Sequence, residues 1–144
     1  MDKIVIRAMT TKDVDGICEI YKGIIRKPVH PDFNDLIIQH AQREKDICLV
    51  AEQNGQVIGF MISYILTLGF GMEKSAWIAT LGVRPDYMGQ GVGRSLAKKI
   101  FKAYKQAGIQ SVYTSVRWDS TDLLSFFKTL GFDRSNHINL RKKI

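Results

Sequence analysis

Three glycines, Gly89, Gly91 and Gly93, lie within five residues of one another, shortly after Pro85 and directly before a helix-like pattern. Inside a helix each glycine would cost about 1 kcal/mol relative to alanine, so the run must serve another purpose. Glycine lets backbone N–H groups approach a bulky anion closely, and the N-terminus of a helix adds a favourable dipole. The run therefore predicts a loop that binds phosphate or pyrophosphate.

The spacing of this loop excludes two common phosphate-binding motifs. A P-loop needs Lys and then Ser or Thr after its last glycine, whereas Arg94 and Ser95 follow here, and its four-residue spacer is missing. A dinucleotide-binding fingerprint needs a third glycine where this chain has Arg94 or Leu96. The alternative without a ligand is a glycine-rich turn that only lets the helix pack closely against a strand.

Hydrophobic periodicity and turn signals predict the elements that hold this loop. Ser75–Val83 is predicted as a strand that ends at Pro85, and Gly91–Ala107 as the following helix. Asn54-Gly55 predicts a hairpin between two further strands. The remaining predicted elements are strands at Lys3–Met9, Ile47–Gln53, Val57–Leu68 and Ser111–Val116, helices at Val14–Ile25 (ended by Pro28 and Pro31), Phe33–Ala41 and Ser120–Leu130, and a short strand within Phe132–Lys143.

This order, β-α-α-β-β-β-α-β-α-β, indicates an α+β fold in which a mixed, mostly antiparallel sheet is flanked by helices. The 144 residues contain no long linker and no repeat, so one domain over residues 1–144 is expected. The N-terminus lacks the pattern of a secretory signal, and no apolar run reaches the length of a membrane span. A cytoplasmic location without a membrane partner is the resulting expectation.

The formal charge of +7 and the pI of about 9.5 leave open two kinds of anionic partner. One is nucleic acid and the other is a small polyanion such as a phosphorylated cofactor. The chain carries no recognisable nucleic-acid-binding motif, so no nucleic-acid partner is expected. Cys18 and Cys48 belong to no Cys/His cluster, so no metal site is expected either.

The segment Val83–Gly93, VRPDYMGQGVG, resembles the acetyl-CoA loop of the Gcn5-related N-acetyltransferases, the GNAT family. Ser120–Phe132, which ends FFKTLGF, is similar to a second motif of that family. The element order matches the family's fold over nearly the whole chain. The resemblance implies a single-domain GNAT-like fold and acetyl-CoA as the acyl donor, with no metal.

The resemblance also implies which residues hold the donor. Backbone amides would bind the pyrophosphate, and the end of the preceding strand would hydrogen-bond the pantetheine arm as an added strand does. That strand and Ser111–Val116 would splay apart to admit the thioester. The implied cofactor-binding residues are Leu81, Val83, Met88, Gly89, Gln90, Gly91, Val92, Gly93, Arg94, Ser120 and Phe126.

Several residues depart from the family's pattern. Met88 stands where the pattern has Arg or Gln, and Ser120 stands where it has Asn, although a serine can still cap the helix. Phe127 stands where many members have a tyrosine that protonates the leaving thiolate. Ser115 stands where the branch that acetylates a ribosomal-protein N-terminus has a glutamate base.

The catalytic groups therefore have to be sought elsewhere in the chain. Amide formation from a thioester needs a neutral amine, a donor to the oxyanion and, ideally, an acid for the thiolate. The family implies a backbone N–H near Leu81 as the oxyanion donor. We predict Glu73 as the base and Tyr113 as the acid, with Tyr64 and Tyr87 as alternatives and His30 as a possible acceptor contact.

Together these features predict an N-acetyltransferase that moves the acetyl group of acetyl-CoA to a primary amine of a small molecule, peptide or protein by direct attack. A CoA-binding module without turnover is the alternative, because Phe127 and Ser115 lack the family's usual catalytic groups. A homodimer is possible, since exposed strand edges support dimers in this fold.

Overall fold

A computed structural model describes residues 3–25, 30–43, 46–67 and 73–144. The predicted helix break at Pro28 and the predicted loop Gly69–Gly71 lie outside these ranges. Within them, five strands form one sheet in the order β1-β2-β3-β4-β5, and only β4 and β5 run parallel. The strands are β1 (Val5–Ala8), β2 (Cys48–Gln53), β3 (Gln56–Thr67), β4 (Lys74–Val83) and β5 (Val112–Thr114). The predicted mixed, mostly antiparallel sheet is confirmed.

Four helices cover the two faces of this sheet. They are α1 (Val14–Ile25), α2 (Phe33–Gln42), α3 (Val92–Gln106) and α4 (Thr121–Thr129). Alternate residues of β2 divide between two hydrophobic clusters, as the two-residue period of a strand requires. Val50 packs with Ile17 and Ile37 of the first two helices. Leu49 and Ala51 pack in the other cluster, which contains buried residues of α3 and α4.

The hairpin between β2 and β3 was predicted from Asn54-Gly55, and the structure contains it. Both turn residues have positive φ, 55° at Asn54 and 74° at Gly55. Two consecutive residues in that region form the tight turn that matches the twist of the flanking strands.

The end of the chain differs from the sequence prediction. Phe132–Lys143 was expected to contain a strand, but residues 132–144 form none. The strand predicted at Ser111–Val116 is also shorter, because only Val112–Thr114 pair with β4. Alternation in a sequence reports side-chain pattern only, whereas a strand also needs a backbone partner. Residues 132–144 find none among the described residues, and the partner of Ser111–Val116 extends only along Val112–Thr114.

A polar network ties β1 to the start of α1. The guanidinium of Arg7 donates to both carboxylate oxygens of Asp13 at 2.8 Å and to Glu52 at 2.6 Å. Asp13 is buried, and it also accepts the backbone N–H of Thr10 at 2.8 Å. Burial alone would raise the pKa of Asp13, but the hydrogen bonds from Arg7 and Thr10 outweigh it and hold the pKa below its usual value.

This network predicts how stability depends on pH. Because the pKa of Asp13 is lowered in the folded state, its contribution is present above the ordinary value of 3.8 and is lost as pH falls through the lower folded value. We expect Asp13→Asn to lower the free energy of unfolding by about 1–3 kcal/mol at pH 6. The difference from the wild type should shrink below pH 4. Urea unfolding at several pH values measures it, and a difference independent of pH would contradict the assignment.

Candidate active site

The glycine loop connects the end of β4 to the start of α3. Pro85–Tyr87 form one 3-10 turn, in which the fixed φ of Pro85 suits the first position. Gly89 and Gly91 follow with φ of 79° and 81°, in the left-handed region that side-chain-bearing residues rarely adopt. Gly91 is the N-cap of α3. The chain therefore turns twice within three residues and enters the helix with its amides exposed.

These amides form the anion-binding feature of the loop. The N–H groups of residues 89–94 donate to no backbone acceptor among the described residues, and the N-cap supplies no side chain either. The first turn of α3 carries no acidic residue, and Arg94 lies within it. A row of free N–H groups at a helix N-terminus attracts an anion through hydrogen bonds and through the helix dipole.

Gly93 serves a purpose that differs from that of the other two glycines. Its φ is not positive, but a Cβ atom at this position would lie 3.2 Å from the ring of Phe126. A side chain there would push Phe126, and with it α4, away from the loop. The packing interpretation of the glycine run is therefore right for Gly93, whereas the turn geometry explains Gly89 and Gly91.

A notch opens between β4 and β5 next to this loop. The parallel pairing joins Ala76–Ile78 to Val112–Thr114 and then stops, while β4 continues to Val83. The hydroxyl of Thr114 donates to the carbonyl of Ile78 at 3.0 Å at the last paired position. Beyond it, residues 79–83 of β4 have no partner on this side among the described residues. Their free edge can accept an extended ligand as an added strand.

The pairing of β3 with β4 contains a bulge at the same position. Ile62 pairs with Thr80 and Ser63 with Ile78, so Ala79 is the extra residue. A bulge leaves its extra residue outside the ladder and redirects the backbone around it. Backbone groups of β4 are consequently available at the mouth of the notch, close to the N–H near Leu81 that the family resemblance implies as the oxyanion donor.

The predicted cofactor-binding residues lie on the edge of β4, on the glycine loop and at or within α4. Leu81 and Val83 lie half-buried on the unpaired part of β4. Phe126 borders the loop through its contact with Gly93. The side chain of Met88 is 57% exposed, so only its backbone is directed by the fold. Ser120 is the N-cap residue of α4, but its hydroxyl makes no capping hydrogen bond, contrary to the expected cap.

Two of the predicted candidate acids lie near the notch: Tyr87 ends the 3-10 turn of the loop, and Tyr113 lies on β5. Tyr113 pairs with Trp77 one position before the last paired residues, and the two rings stack with centroids 4.9 Å apart. Its hydroxyl forms no hydrogen bond with a described residue, and the side chain is half-buried. The ring is thus held by packing, and His137 meets it edge-on with centroids 6.2 Å apart. The role of the Tyr113 hydroxyl as the acid stays a prediction.

The other candidates lie farther from the notch. Glu73 is exposed and precedes β4, five residues before Ile78, which is about 17 Å along a strand. Tyr64 lies on β3 and pairs with Trp77 of β4. Its ring centroid is 6.0 Å from that of His40. His30 is exposed beside Asp32. The structure does not bring these groups together with the loop.

Two departures from the family pattern have structural explanations. Phe127 is 4% exposed, and its ring packs edge-on against Phe126 and Phe132. It is a core residue of α4, so a tyrosine there would need a buried partner for its hydroxyl. Ser115 accepts a hydrogen bond from the side-chain amide of Asn139 at 2.9 Å.

Among the described residues, the cysteines are not activated as nucleophiles and no metal-binding cluster is found. Burial raises the pKa of the Cys48 thiol to about 11, so it stays protonated and weakly nucleophilic near neutral pH. Cys18 donates to the side chain of Asn34 at 2.7 Å. No group of three His, Cys, Asp or Glu side chains in these residues could hold a metal ion. None of the helices built from them is both long enough and apolar enough to cross a bilayer.

Comparison with known proteins adds sequence and fold relationships. Residues 14–132 match the model of the acetyltransferase (GNAT) family. The chain is 25% identical over 142 residues to an acetyltransferase of Pectobacterium atrosepticum, covering 96% of this chain and 94% of the relative. It is 26% identical over 135 residues to an N-alpha-acetyltransferase of Sulfurisphaera tokodaii, covering 88% of this chain and 78% of the relative.

A solved structure has the same fold. An aminoglycoside N-acetyltransferase in complex with CoA aligns with a TM-score of 0.84 over 99% of this chain and 96% of the other. The sequence identity is 18%, so the likeness establishes the fold and nothing finer.

The geometry of the loop predicts the effect of Gly91→Glu. The new side chain would meet open space but would require a strained positive φ, at about 1–2 kcal/mol, and it would place a carboxylate beside the free amides. We expect CoA to bind about 10–100-fold more weakly by calorimetry, because like charges would then face each other.

Gly108→Glu is the matched control. Gly108 has a φ of 78° and equally open surroundings just past the other end of α3. The Gly108→Glu substitution introduces similar strain and the same charge away from the loop, so CoA affinity should be unchanged. Equal affinity of the two variants for CoA would show that the loop does not bind the pyrophosphate.

Proposed function

The chain belongs to the acetyltransferase (GNAT) family, and on that premise we propose that its notch transfers the acetyl group of acetyl-CoA directly to a primary amine. The observation that carries the proposal is the succession along the chain of two features: residues 79–83 of β4, which are unpaired on the β5 side, and the free amides of residues 89–94 in the loop. Together they offer a strand edge for an amide-containing arm and a cluster of N–H groups for a pyrophosphate. Acetyl-CoA has these two parts in this order.

The binding roles follow from the same geometry. Amides of Gly89, Gln90, Gly91, Val92, Gly93 and Arg94 hold the pyrophosphate. Met88 leads into this set, but its own amide donates to the carbonyl of Pro85 at 3.2 Å. Leu81 and Val83 hydrogen-bond the pantetheine arm through their backbone. Ser120 and Phe126 border the arm from α4, and the absence of a capping bond leaves the hydroxyl of Ser120 available to a ligand.

Transfer then requires one bond to form and one to break. The neutral amine attacks the thioester carbonyl carbon, and the C–S bond breaks as the tetrahedral intermediate collapses to an amide and CoA thiolate. Backbone N–H groups around the bulge at Ala79 and at Leu81 stabilise the oxyanion. Tyr113 protonates the thiolate. A thiolate is a tolerable leaving group, since a free thiol has a pKa of about 8.5, so a single weak acid suffices.

Glu73 is the proposed base, and the amine loses its proton to that carboxylate through a relay of several water molecules, because one water cannot bridge about 17 Å. The separation of Glu73 from the notch along β4 makes this a long-range role, so we expect the amine's own ionisation to govern much of the pH dependence. The acceptor is a primary amine of a small molecule, peptide or protein. A cytoplasmic location is part of the proposal, because such an enzyme acts where its acyl donor is present.

One observation favours a second candidate function, a CoA-binding module without turnover. Phe127 is a buried ring at the position where many family members have their acid. In that case calorimetry would detect CoA binding, whereas no acceptor would ever release CoA. Measurable turnover by the wild type excludes this alternative.

The proposed reaction predicts CoA release from acetyl-CoA with at least one member of a broad panel of amines. The panel should contain peptides with a free N-terminal amine, polyamines and aminoglycosides. Analogues in which a hydroxyl group replaces the amine serve as controls. We expect kcat/KM to rise with pH toward the pKa of the acceptor amine, since only the neutral amine attacks. Release of CoA from none of these amines by a preparation that binds CoA would contradict the proposal.

The roles of Tyr113 and Glu73 predict unequal effects of two conservative substitutions. Tyr113→Phe keeps the ring stacked on Trp77 but removes the hydroxyl, so kcat should fall about 10–100-fold with little change in the KM for acetyl-CoA. Glu73→Gln should lower kcat by a smaller factor. If Glu73 is the base, the substitution should also flatten the rise of kcat with pH. Steady-state kinetics across pH measures both. A larger fall in kcat from Glu73→Gln than from Tyr113→Phe would contradict the greater contribution that we assign to Tyr113.

A further inference from the structure

Three aromatic residues lie side by side on neighbouring strands next to the notch. The register pairs Tyr64 of β3 with Trp77 of β4, and Trp77 with Tyr113 of β5. Residues paired across strands point to the same face of a sheet. Ile62, two residues before Tyr64, packs with residues of α1 and α2, so the three rings lie on the face that these helices cover. Trp77 comes one residue before Ile78, where the pairing of β4 with β5 ends.

These rings do not belong to the core of the protein. Tyr64, Trp77 and Tyr113 are members of neither hydrophobic cluster, and each of them is half-buried. Aromatic side chains carry a large apolar surface, which is stabilising only where another group covers it. Half-exposed rings at the edge of a binding notch therefore offer that surface to a ligand.

Contacts around the rings hold them in fixed orientations. Trp77 stacks on its neighbour on β5, and its indole N–H donates to the hydroxyl of Ser75 at 3.1 Å. Ser75 is itself buried, at 2% exposure. Tyr64 stacks on His40, and the Nδ1 atom of His40 lies 3.0 Å from the carboxylate of Asp46. Rings that are already ordered lose little further entropy when a ligand binds between them.

A gap separates the two stacked pairs. Tyr64 leans toward His40 and Trp77 leans toward Tyr113, with interplanar angles of 23° and 20°. The rings of Tyr64 and Trp77 make no contact with each other, although the two residues are directly paired. Cβ atoms of such a pair are about 5 Å apart, so rings that lean away from each other open a slot. The uncovered face of each ring is turned toward this slot.

We propose that this slot between Tyr64 and Trp77, the aryl slot, binds an aromatic ring carried by the acceptor, so that the acceptors are arylalkylamines. The inference rests on the proposed acetyl transfer and specifies its substrate class. The aryl slot lies one strand away from the notch, about 5 Å across the sheet, and at least one residue, about 3 Å, along it. The ring and the amine of the acceptor are therefore about 6 Å apart, which matches a linker of two or three carbon atoms.

The carboxylates on this face argue against a polycationic acceptor in the aryl slot. The carboxylate behind the slot belongs to Asp46, which is 4% exposed and faces His40 and the backbone N–H of Ile65. Asp15 and Glu19 line a separate cavity of 380 Å³ between α1 and α2, to which neither wall of the slot contributes. A second ammonium group would thus meet no free charge from Asp46, whereas a flat ring meets two aromatic faces.

The first experiment compares acceptors that differ in the ring alone. CoA release from saturating acetyl-CoA is measured with phenethylamine, with its saturated analogue cyclohexylethylamine and with putrescine, and kcat/KM is referred to the neutral fraction of each amine. The value for phenethylamine should exceed that for cyclohexylethylamine by about 3–10-fold, because stacking on both walls adds to apolar burial. Equal values for these two amines, or a preference for putrescine, would overturn the aryl slot while leaving acetyl transfer in place.

Substitution of Tyr64 tests whether the wall itself carries the preference. Tyr64→Leu removes one aromatic face, so the ratio of kcat/KM between phenethylamine and cyclohexylethylamine should fall toward one, while the KM for acetyl-CoA stays unchanged. Tyr64→Phe keeps the face and should keep the ratio, which separates stacking from any role of the hydroxyl. Tyr21→Leu is the matched control, since Tyr21 stacks on Phe33 at 4.2 Å on the same side of the sheet, and it should keep the ratio. A ratio that Tyr64→Leu leaves unchanged would overturn the proposal.

The second experiment follows binding without turnover. The chain has two tryptophans, and Trp118 is 88% exposed, so Trp118→Phe leaves Trp77 as the only tryptophan. In the presence of CoA, which has no acetyl group to transfer, phenethylamine should change the emission of Trp77 with saturation. Cyclohexylethylamine should need a several-fold higher concentration for the same effect. This change without CoA release from any amine would refute the proposed transfer and support the aryl slot. No change at Trp77, with or without turnover, would overturn the aryl slot.

Discussion

The feature on which the rest of the site depends is the short parallel pairing between β4 and β5. Pairing ends at Ile78 and Thr114, whereas β4 continues to Val83 and leads directly into the glycine loop. A strand paired with neighbours along both edges would have all its backbone N–H and C=O groups hydrogen-bonded, and it would offer none of them to a ligand. Because pairing stops early, and a bulge interrupts the other ladder at the same level, backbone donors and acceptors face an open notch.

Recognition through backbone groups explains why the departures at Met88 and Ser120 are tolerable. A side chain that is 57% exposed at Met88 contributes little to the shape of the loop, whose path is fixed by Pro85 and by the positive φ of Gly89 and Gly91. Gly93 then brings Phe126 against the loop and fixes the position of α4. The loop is therefore built from turns and packing, whereas the proposed acid, the hydroxyl of Tyr113, is positioned by the packing of its ring on Trp77 and His137.

Local patterns were sufficient to predict the four helices, the five strands of the sheet and the loop. The Asn54-Gly55 hairpin, the helix that begins after Gly91 and the mixed sheet all follow from residue types and their spacing. The bulge at Ala79 and the early end of β5 could not be predicted, because both depend on which backbone groups meet across the sheet. The stacking of Trp77 on Tyr113 and the contact between Gly93 and Phe126 join residues far apart in sequence, so no local signal reveals them. The prediction of a strand within Phe132–Lys143 is wrong for the same reason, since alternation at Ile138 and Leu140 does not specify a backbone partner.

The central claim is that free backbone amides on β4 and the loop bind the acyl donor, and amide-resolved NMR tests it most directly. Titrating CoA into the isotope-labelled protein should shift the amide signals of residues 79–83 and 89–94 together, with one dissociation constant for both segments. Signals from the outer faces of α1 and α2 should stay in place. Shifts confined to other surfaces, or none in the loop while CoA is bound, would contradict the account.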